Sequence, residues 1–80
     1  MYTEKTISKP DGLKTADCAI IAQVAGRFSC DIFLIKGNKK VNAKSIMGLI
    51  SLNIKVGDLV FVSTSGNDES LANERILSLL

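Results

Sequence analysis

The stretch Val41-Asn42-Ala43-Lys44-Ser45-Ile46-Met47-Gly48-Leu49-Ile50-Ser51-Leu52 constrains the fold more than any other part of this chain. It reads as the end of a short strand, a serine placed to cap a helix, and a short helix with more apolar residues than one buried face can use. The hydroxyl of Ser45 can accept from the free N–H groups of the first helical turn. At about 100° per residue, Ile46, Met47 and Ile50 share one side of the helix while Leu49 and Leu52 share another. Only one side can meet a core, so the other is expected to be an exposed apolar patch, the usual mark of a docking surface. A hydroxyl at the helix entrance beside such a patch is also a place where regulation can act. A phosphate added there would meet the positive helix end and change the charge of the docking surface. The plainer reading makes Ser45 a cap and nothing more. The two roles are compatible, because helix N-termini accommodate phosphate.

A chain of 80 residues has material for one domain, residues 1–80, and nearly every apolar element must serve a single core. Its formal net charge of +2 is too small to point to nucleic acid or an anionic membrane as the partner. The residues after Met1 carry no apolar signal core, and the longest apolar run falls far short of a bilayer span. A cytoplasmic protein without membrane insertion is therefore expected. Cys18 and Cys30 lie in or beside apolar segments without metal-like spacing, and there is no histidine to complete a site. Two buried free thiols, no metal and no cofactor are expected. The lack of histidine also removes the commonest general base and phosphate acceptor.

Taken in order, residues 2–8 are rich in β-branched types and alternate weakly, which predicts a first strand. Lys9-Pro10-Asp11-Gly12 is a turn signal. Ile20, Ile21, Val24 and Phe28 recur at helical spacing, with Gln23 and Arg27 on the polar side, and predict a helix over 15–26 capped by Lys14 or Thr15. Asp17 in its first turn suits the helix dipole. Asp31–Lys36 and Lys39–Asn42 flank Gly37-Asn38, a hairpin signal. The short helix from Ser45 to Leu52 follows, with 53–58 as its exit loop. Leu59–Thr64 is the most β-prone segment, and its continuous apolar run predicts a central strand. Ser65–Ser70 supplies a turn and an acidic helix start, and Leu71, Ala72, Ile76, Leu77 and Leu80 mark a final amphipathic helix. The order βαββαβα predicts an α+β fold, a four-stranded antiparallel-rich sheet with three helices on one face and the other face open to water.

The motif Val41–Leu52, with Gly12, Gln23, Ala25, Phe28, Asp31, Leu34, Gly57 and Gly66-Asn67-Asp68-Glu69-Ser70, resembles HPr, the small phosphocarrier family of the bacterial sugar phosphotransferase system. The resemblance implies the family fold, an open-faced β-sandwich of four strands and three helices, in agreement with the order just read. It breaks in one loop. The family segment Gly-Ile-His-Ala-Arg-Pro-Ala, whose histidine carries the phosphoryl group, reads here Gly12-Leu13-Lys14-Thr15-Ala16-Asp17-Cys18. Lys14 stands at the histidine position, Ala16 at the arginine and Asp17 at the proline. A lysine amine, with an ordinary pKa of about 10.4, has no free lone pair near neutral pH with which to attack a phosphoryl donor. Losing the arginine removes a bidentate phosphate clamp, and Asp17 adds negative charge where an incoming phosphate would sit.

The resemblance implies that Ser45 matches the serine modified by HPr kinase/phosphorylase in Gram-positive members, with Lys44, Ile46, Met47 and Gly48 matching around it. Serine kept and histidine lost is the logic of the Crh branch, whose members serve as corepressors for a catabolite control protein. There the histidine position holds glutamine, whereas here it holds lysine. The leading expectation is a non-enzymatic HPr-like protein that has lost histidine phosphocarrier chemistry and works by binding protein partners. Those partners would be an HPr kinase/phosphorylase, a catabolite control protein or phosphotransferase components, with no direct contact to nucleic acid. Ile46, Met47 and Ile50 would form the docking patch, and Ser45 its switch. Lys14, a solvated cation by default, joins the binding set as a group able to pair with an acidic partner residue. Two alternatives remain. One is residual phosphotransfer on another acceptor such as Cys18, and the other an unphosphorylatable decoy that needs the patch but not Ser45. The sequence specifies no oligomeric state.

Overall fold

A computed structural model describes residues 1–80. Its elements are β1 (Tyr2–Thr6), α1 (Thr15–Ala25), β2 (Asp31–Lys36), β3 (Lys39–Asn42), α2 (Ile46–Ser51), β4 (Leu59–Ser65) and α3 (Glu69–Ser78). The strands form one sheet in the order β1-β4-β2-β3, and every neighbouring pair is antiparallel. Three helices lie on one face, with α1 packed against α2 and α3, and α3 resting on β4. The fold is the open-faced α+β sandwich expected from the element order, and β4 is the central strand its apolar run predicted.

Alternation along the strands decides which residues enter the core. Ile32 and Leu34 of β2 and Val60, Val62 and Thr64 of β4 point to the helices and are buried. Phe33, Ile35, Phe61 and Ser63 point the other way. Leu34 pairs directly with Val62, so both central strands deliver their apolar sets to one layer, where Ile21, Leu49 and Ile76 of the three helices close over them. The buried polar groups are satisfied. Thr64 Oγ1 donates to the Glu69 carbonyl at 3.0 Å, and Asn73 accepts from Thr3 Oγ1 at 3.0 Å while reaching the Val62 carbonyl at 3.5 Å.

Two glycines fix how the loops approach this core. Gly12 has φ +65°, and a Cβ there would lie 2.5 Å from the Ile54 carbonyl oxygen. Only glycine lets the loop before α1 lie so close to the exit of α2, where Leu13 N–H donates to Ile54 O at 3.1 Å. Gly66, at φ +146°, would place a Cβ 2.7 Å from that of Cys30. Beside it Asp68 accepts from the N–H groups of Ser29 and Cys30 at 2.9 and 3.0 Å, tying the entry of β2 to the entry of α3.

Several expectations need correction. β1 ends at Thr6 rather than residue 8, because its ladder partner begins at Leu59, and Ile7 instead bonds the turn through Asp58 O and Gly57 N. α1 stops at Ala25, with Gly26 as its C-cap. Ile20, counted on the buried stripe, is 49% exposed, while Cys18, Ala22 and Ala25 take the core side with Ile21. Leu71 is likewise exposed, and α3 buries Ala72, Asn73 and Ile76. In both helices small side chains share the inner positions with one isoleucine, while another large aliphatic faces outward.

Candidate regulatory and docking site

The site begins at the end of β3. Asn42 turns the chain: its side-chain oxygen accepts from Lys44 N–H at 2.9 Å and its carbonyl from Ser45 N–H at 3.0 Å. This delivers Ser45 with extended backbone (φ −106°, ψ 114°) to the N-cap of α2, where its Oγ accepts from Gly48 N–H at 3.1 Å. Gly48 sits against the strand it follows, and a Cβ there would come within 3.2 Å of Val41 Cβ. Lys44 reaches back with its ammonium to the Phe28 carbonyl at 2.8 Å, pinning the approach to α2 onto the segment that follows α1.

α2 has only six residues, and its other end is held from the hairpin. Lys36 Nζ donates to the carbonyls of Leu52 and Asn53 at 3.2 and 2.9 Å, and Lys39 Nζ to that of Ser51 at 2.8 Å. These are carbonyls a short helix leaves unpaired, and the cations suit its negative end. Lys36 also pairs with Asp58 at 2.9 Å, and that contact together with Lys55 N–H holds the Asp58 carboxyl below its ordinary range. Sequence reading missed these lysines as supports of the helix. Their only signal was the cluster of lysines flanking Gly37-Asn38, which a solvent-facing hairpin also carries.

With both ends fixed, α2 presents two distinct sides. Leu49 and Leu52 are buried, whereas Ile46, Met47 and Ile50 are 43%, 75% and 38% exposed. Ser45 is exposed at the entrance of the same helix. Serine hydroxyl and apolar side chains thus sit together on the outer surface of the helical layer.

Lys14 is the N-cap of α1. Its ammonium lies 3.4 Å from Asp11, and both side chains are largely exposed. Asp17 occupies the position where an incoming anion would meet the helix. Its carboxylate accepts from Lys14 N–H at 2.9 Å and approaches Lys9 Nζ at 3.4 Å, contacts that lower its pKa. Around them Lys9, Pro10, Asp11 and Gly12 border a shallow, open depression. The N–H of the N-cap residue is thus bonded to a carboxylate of this chain, which sets a negative charge at the helix entrance. Ala16 is exposed and brings no side-chain donor. Cys18, one turn on, is 3% exposed, and burial, reinforced by the Asp17 charge, pushes its thiol pKa up. A buried, protonated thiol is a poor nucleophile. No cluster of three or more histidine, cysteine or acidic side chains able to hold a metal is present, and no helix is long and apolar enough to cross a membrane.

An open-faced sheet under three helices, with a serine-capped short helix bearing an apolar outer side, defines the class of HPr-like open-faced β-sandwiches. The family model for the HPr component phosphorylation site of the phosphotransferase system matches residues 2–80, and the chain belongs to the HPr family. Among curated relatives, the HPr-like protein Crh of Halalkalibacterium halodurans is 46% identical over 69 residues, covering 86% of this chain and 82% of its own. Crh of Bacillus subtilis is 48% identical over 65 residues, covering 81% and 76%. Among solved structures, the phosphocarrier protein HPr of Bacillus anthracis superposes with a TM-score of 0.95 at 38% identity, covering 100% of this chain and 95% of that one.

Proposed function

We propose that this HPr-like protein is a regulatory binding protein whose docking surface, the outer side of α2, is switched by phosphorylation of Ser45. The observation that carries the reading is the juxtaposition at α2: an exposed serine hydroxyl caps the helix whose exposed apolar residues, Ile46, Met47 and Ile50, would meet a partner. In the transfer from ATP, Ser45 Oγ forms a bond to the γ-phosphorus as the bond from that phosphorus to the β,γ-bridging oxygen breaks; ADP leaves, and the hydroxyl proton passes to a base of the kinase. The product carries nearly two negative charges beside three apolar side chains. A partner that meets the patch with cations gains charge-assisted hydrogen bonds, and one that meets it with apolar surface alone binds more weakly because the phosphate must be desolvated.

The N-terminal loop supports the same reading from the other side. With no histidine in the chain, a lysine at the family position, and the Asp17 carboxylate bonded to the N-cap N–H at the helix entrance, the loop lacks the family's phosphoryl acceptor and places negative charge where a phosphate would sit. The similarity to two Crh proteins adds weight, since both are named HPr-like rather than phosphocarrier. The partners that fit are an HPr kinase/phosphorylase acting on Ser45 and a catabolite control protein or phosphotransferase component docking on α2.

Intact-mass measurement after incubation with a bacterial HPr kinase and ATP tests the proposal. One added phosphate is expected on the wild type and none on Ser45→Ala. Incubation with phosphoenolpyruvate and enzyme I is expected to leave both unmodified. An unmodified wild type in the kinase reaction reduces Ser45 to a helix cap, and label from enzyme I on any residue overturns the loss of phosphocarrier chemistry.

A further inference from the structure

The face of the sheet turned away from the helices carries apolar side chains that the helical core does not use, and they form a strip. On the two central strands Phe61 of β4 and Phe33 and Ile35 of β2 are half-buried, and Leu59 of β4 is 45% exposed. The edge strands border the strip with Thr6 and Glu4 on one side and Lys40 and Asn42 on the other. Tyr2 leans in from β1, stacked on Phe61 with ring centroids 5.1 Å apart, and the Lys40 ammonium lies 4.5 Å from the Phe33 centroid. Register puts Glu4, Phe61, Ile35 and Lys40 in one row across all four strands. The row reads negative, apolar, apolar, positive. Asp31 stands at the far end of the strip from Leu59, and none of Glu4, Asp31 and Lys40 takes part in an ion pair within the chain.

We propose that this face is a second docking surface, independent of Ser45, and that its partner is an unlike protein presenting one amphipathic helix. The helix lies along β4 and β2, with cationic side chains on one flank and carboxylates on the other. Width supports a single helix: two strands about 4.8 Å apart, with their side chains, make an apolar band about 10 Å across, the diameter of one helix. Length supports about four turns, because the strip runs roughly 20 Å from Leu59 to Asp31. Charge sets the flanks. A basic flank meets Glu4, an acidic flank meets Lys40, and Asp31 meets the positive helix N-terminus. Rings on central strands also suit stacked nucleobases, but a nucleic acid brings a phosphate with every base, and this face offers Glu4 and Asp31 against Lys40 alone. Charge therefore selects a protein. The docked helix would complete a third layer, helices on both sides of the sheet.

The contact is small. A strip about 20 Å long and about 14 Å from edge strand to edge strand gives a footprint of roughly 300 Å² per partner, less than half of a standard protein interface. Binding is therefore weak and exchanging, with a dissociation constant on the order of 100 µM. It leaves the helical layer free, so α2 can hold one protein while the sheet holds another.

The probe is a synthetic peptide of about 14 residues, stapled into a helix on its outer side, with leucines at i, i+3, i+4 and i+7 spacing, lysines on one flank and glutamates on the other. Titrated into the full chain, it is expected to give saturable amide NMR shifts at Glu4, Phe33, Ile35 and Phe61 but not in α2, with a midpoint on the order of 100 µM. A peptide of the same composition with its stripe scrambled is expected to give none. Glu4→Lys or Lys40→Glu sets a like charge against one flank and is expected to weaken binding roughly threefold or more, whereas the double reversal largely restores it because the peptide can turn end for end. Circular dichroism checks that each variant is folded. A wild type silent to the peptide at about 1 mM overturns the proposal, as do shifts confined to α2 or binding indifferent to both single reversals. Open-face signals that move on dilution without peptide assign the face to a second copy, and tighter binding of an oligothymidylate there assigns it to nucleic acid; either result overturns the proposal too.

Discussion

Asp68 accepts hydrogen bonds from the Ser29 and Cys30 N–H groups, and those donors hold its carboxyl below the ordinary carboxylate range. Asp17, bonded to Lys14 N–H, and Asp58, bonded to Lys36 and Lys55, are lowered in the same way. Each binds its proton less tightly folded than unfolded, so each contributes stability that is complete above the unfolded pKa of about 3.9 and disappears as pH falls through the lower folded value. The thermal midpoint is expected to stay level from about pH 7 to about pH 5 and to fall below about pH 4. Asp68→Asn should lower the midpoint at neutral pH and narrow its gap from wild type in acid. A gap that stays constant down to pH ~2 would show that the carboxylate charge at this position is immaterial to stability.

At the level of the element, α2 is too short to persist on propensity alone. Its order comes from Ser45 at one end and Lys36 and Lys39 at the other. Lys36→Met keeps the aliphatic stem but removes the donors to Leu52 and Asn53. It is expected to cost about 1 kcal/mol locally, seen as roughly fivefold faster hydrogen exchange through α2 with little change in β4. Uniform acceleration across the protein would mean that Lys36 supports the global fold instead.

The two sides of α2 were legible in the sequence because Leu49 and Leu52 are large and sit at helical spacing opposite Ile46, Met47 and Ile50. The buried sides of α1 and α3 were not. Periodicity weighs large aliphatics, while the core holds Cys18, Ala22, Ala25 and Ala72 and leaves Ile20 and Leu71 outside. Asn73 was also illegible, since its burial depends on Thr3 and Val62, partners distant in sequence. Around Lys14 the replacement of the family residues was legible, but not the Asp17 contact to Lys14 N–H, which depends on the backbone geometry at the cap.

In the whole molecule one apolar cluster joins all three helices to the sheet, and both thiols belong to it. Burial raises the pKa of Cys18 and of Cys30, with Asp68 reinforcing the effect on Cys30. A thiol reagent such as an aromatic disulfide is expected to modify the native protein at least about a hundredfold more slowly than the denatured chain, with both cysteines sharing one rate set by global opening. Rapid modification of Cys18 alone would reveal a reactive nucleophile in the first turn of α1 and revive sulfur as a phosphoryl acceptor.

The strand order also has a consequence for synthesis. β1 pairs only with β4, and even its nearest couple, Thr6 and Leu59, is separated by 53 positions. At about 5–20 residues per second, β1 leaves the ribosome several seconds before its neighbour in the sheet has been translated. The β2–β3 hairpin, with its two-residue connection, can close in microseconds meanwhile. Native folding thus waits on the last third of the message, and through that interval the nascent chain carries an unpaired strand that chaperones, or another growing chain, can engage.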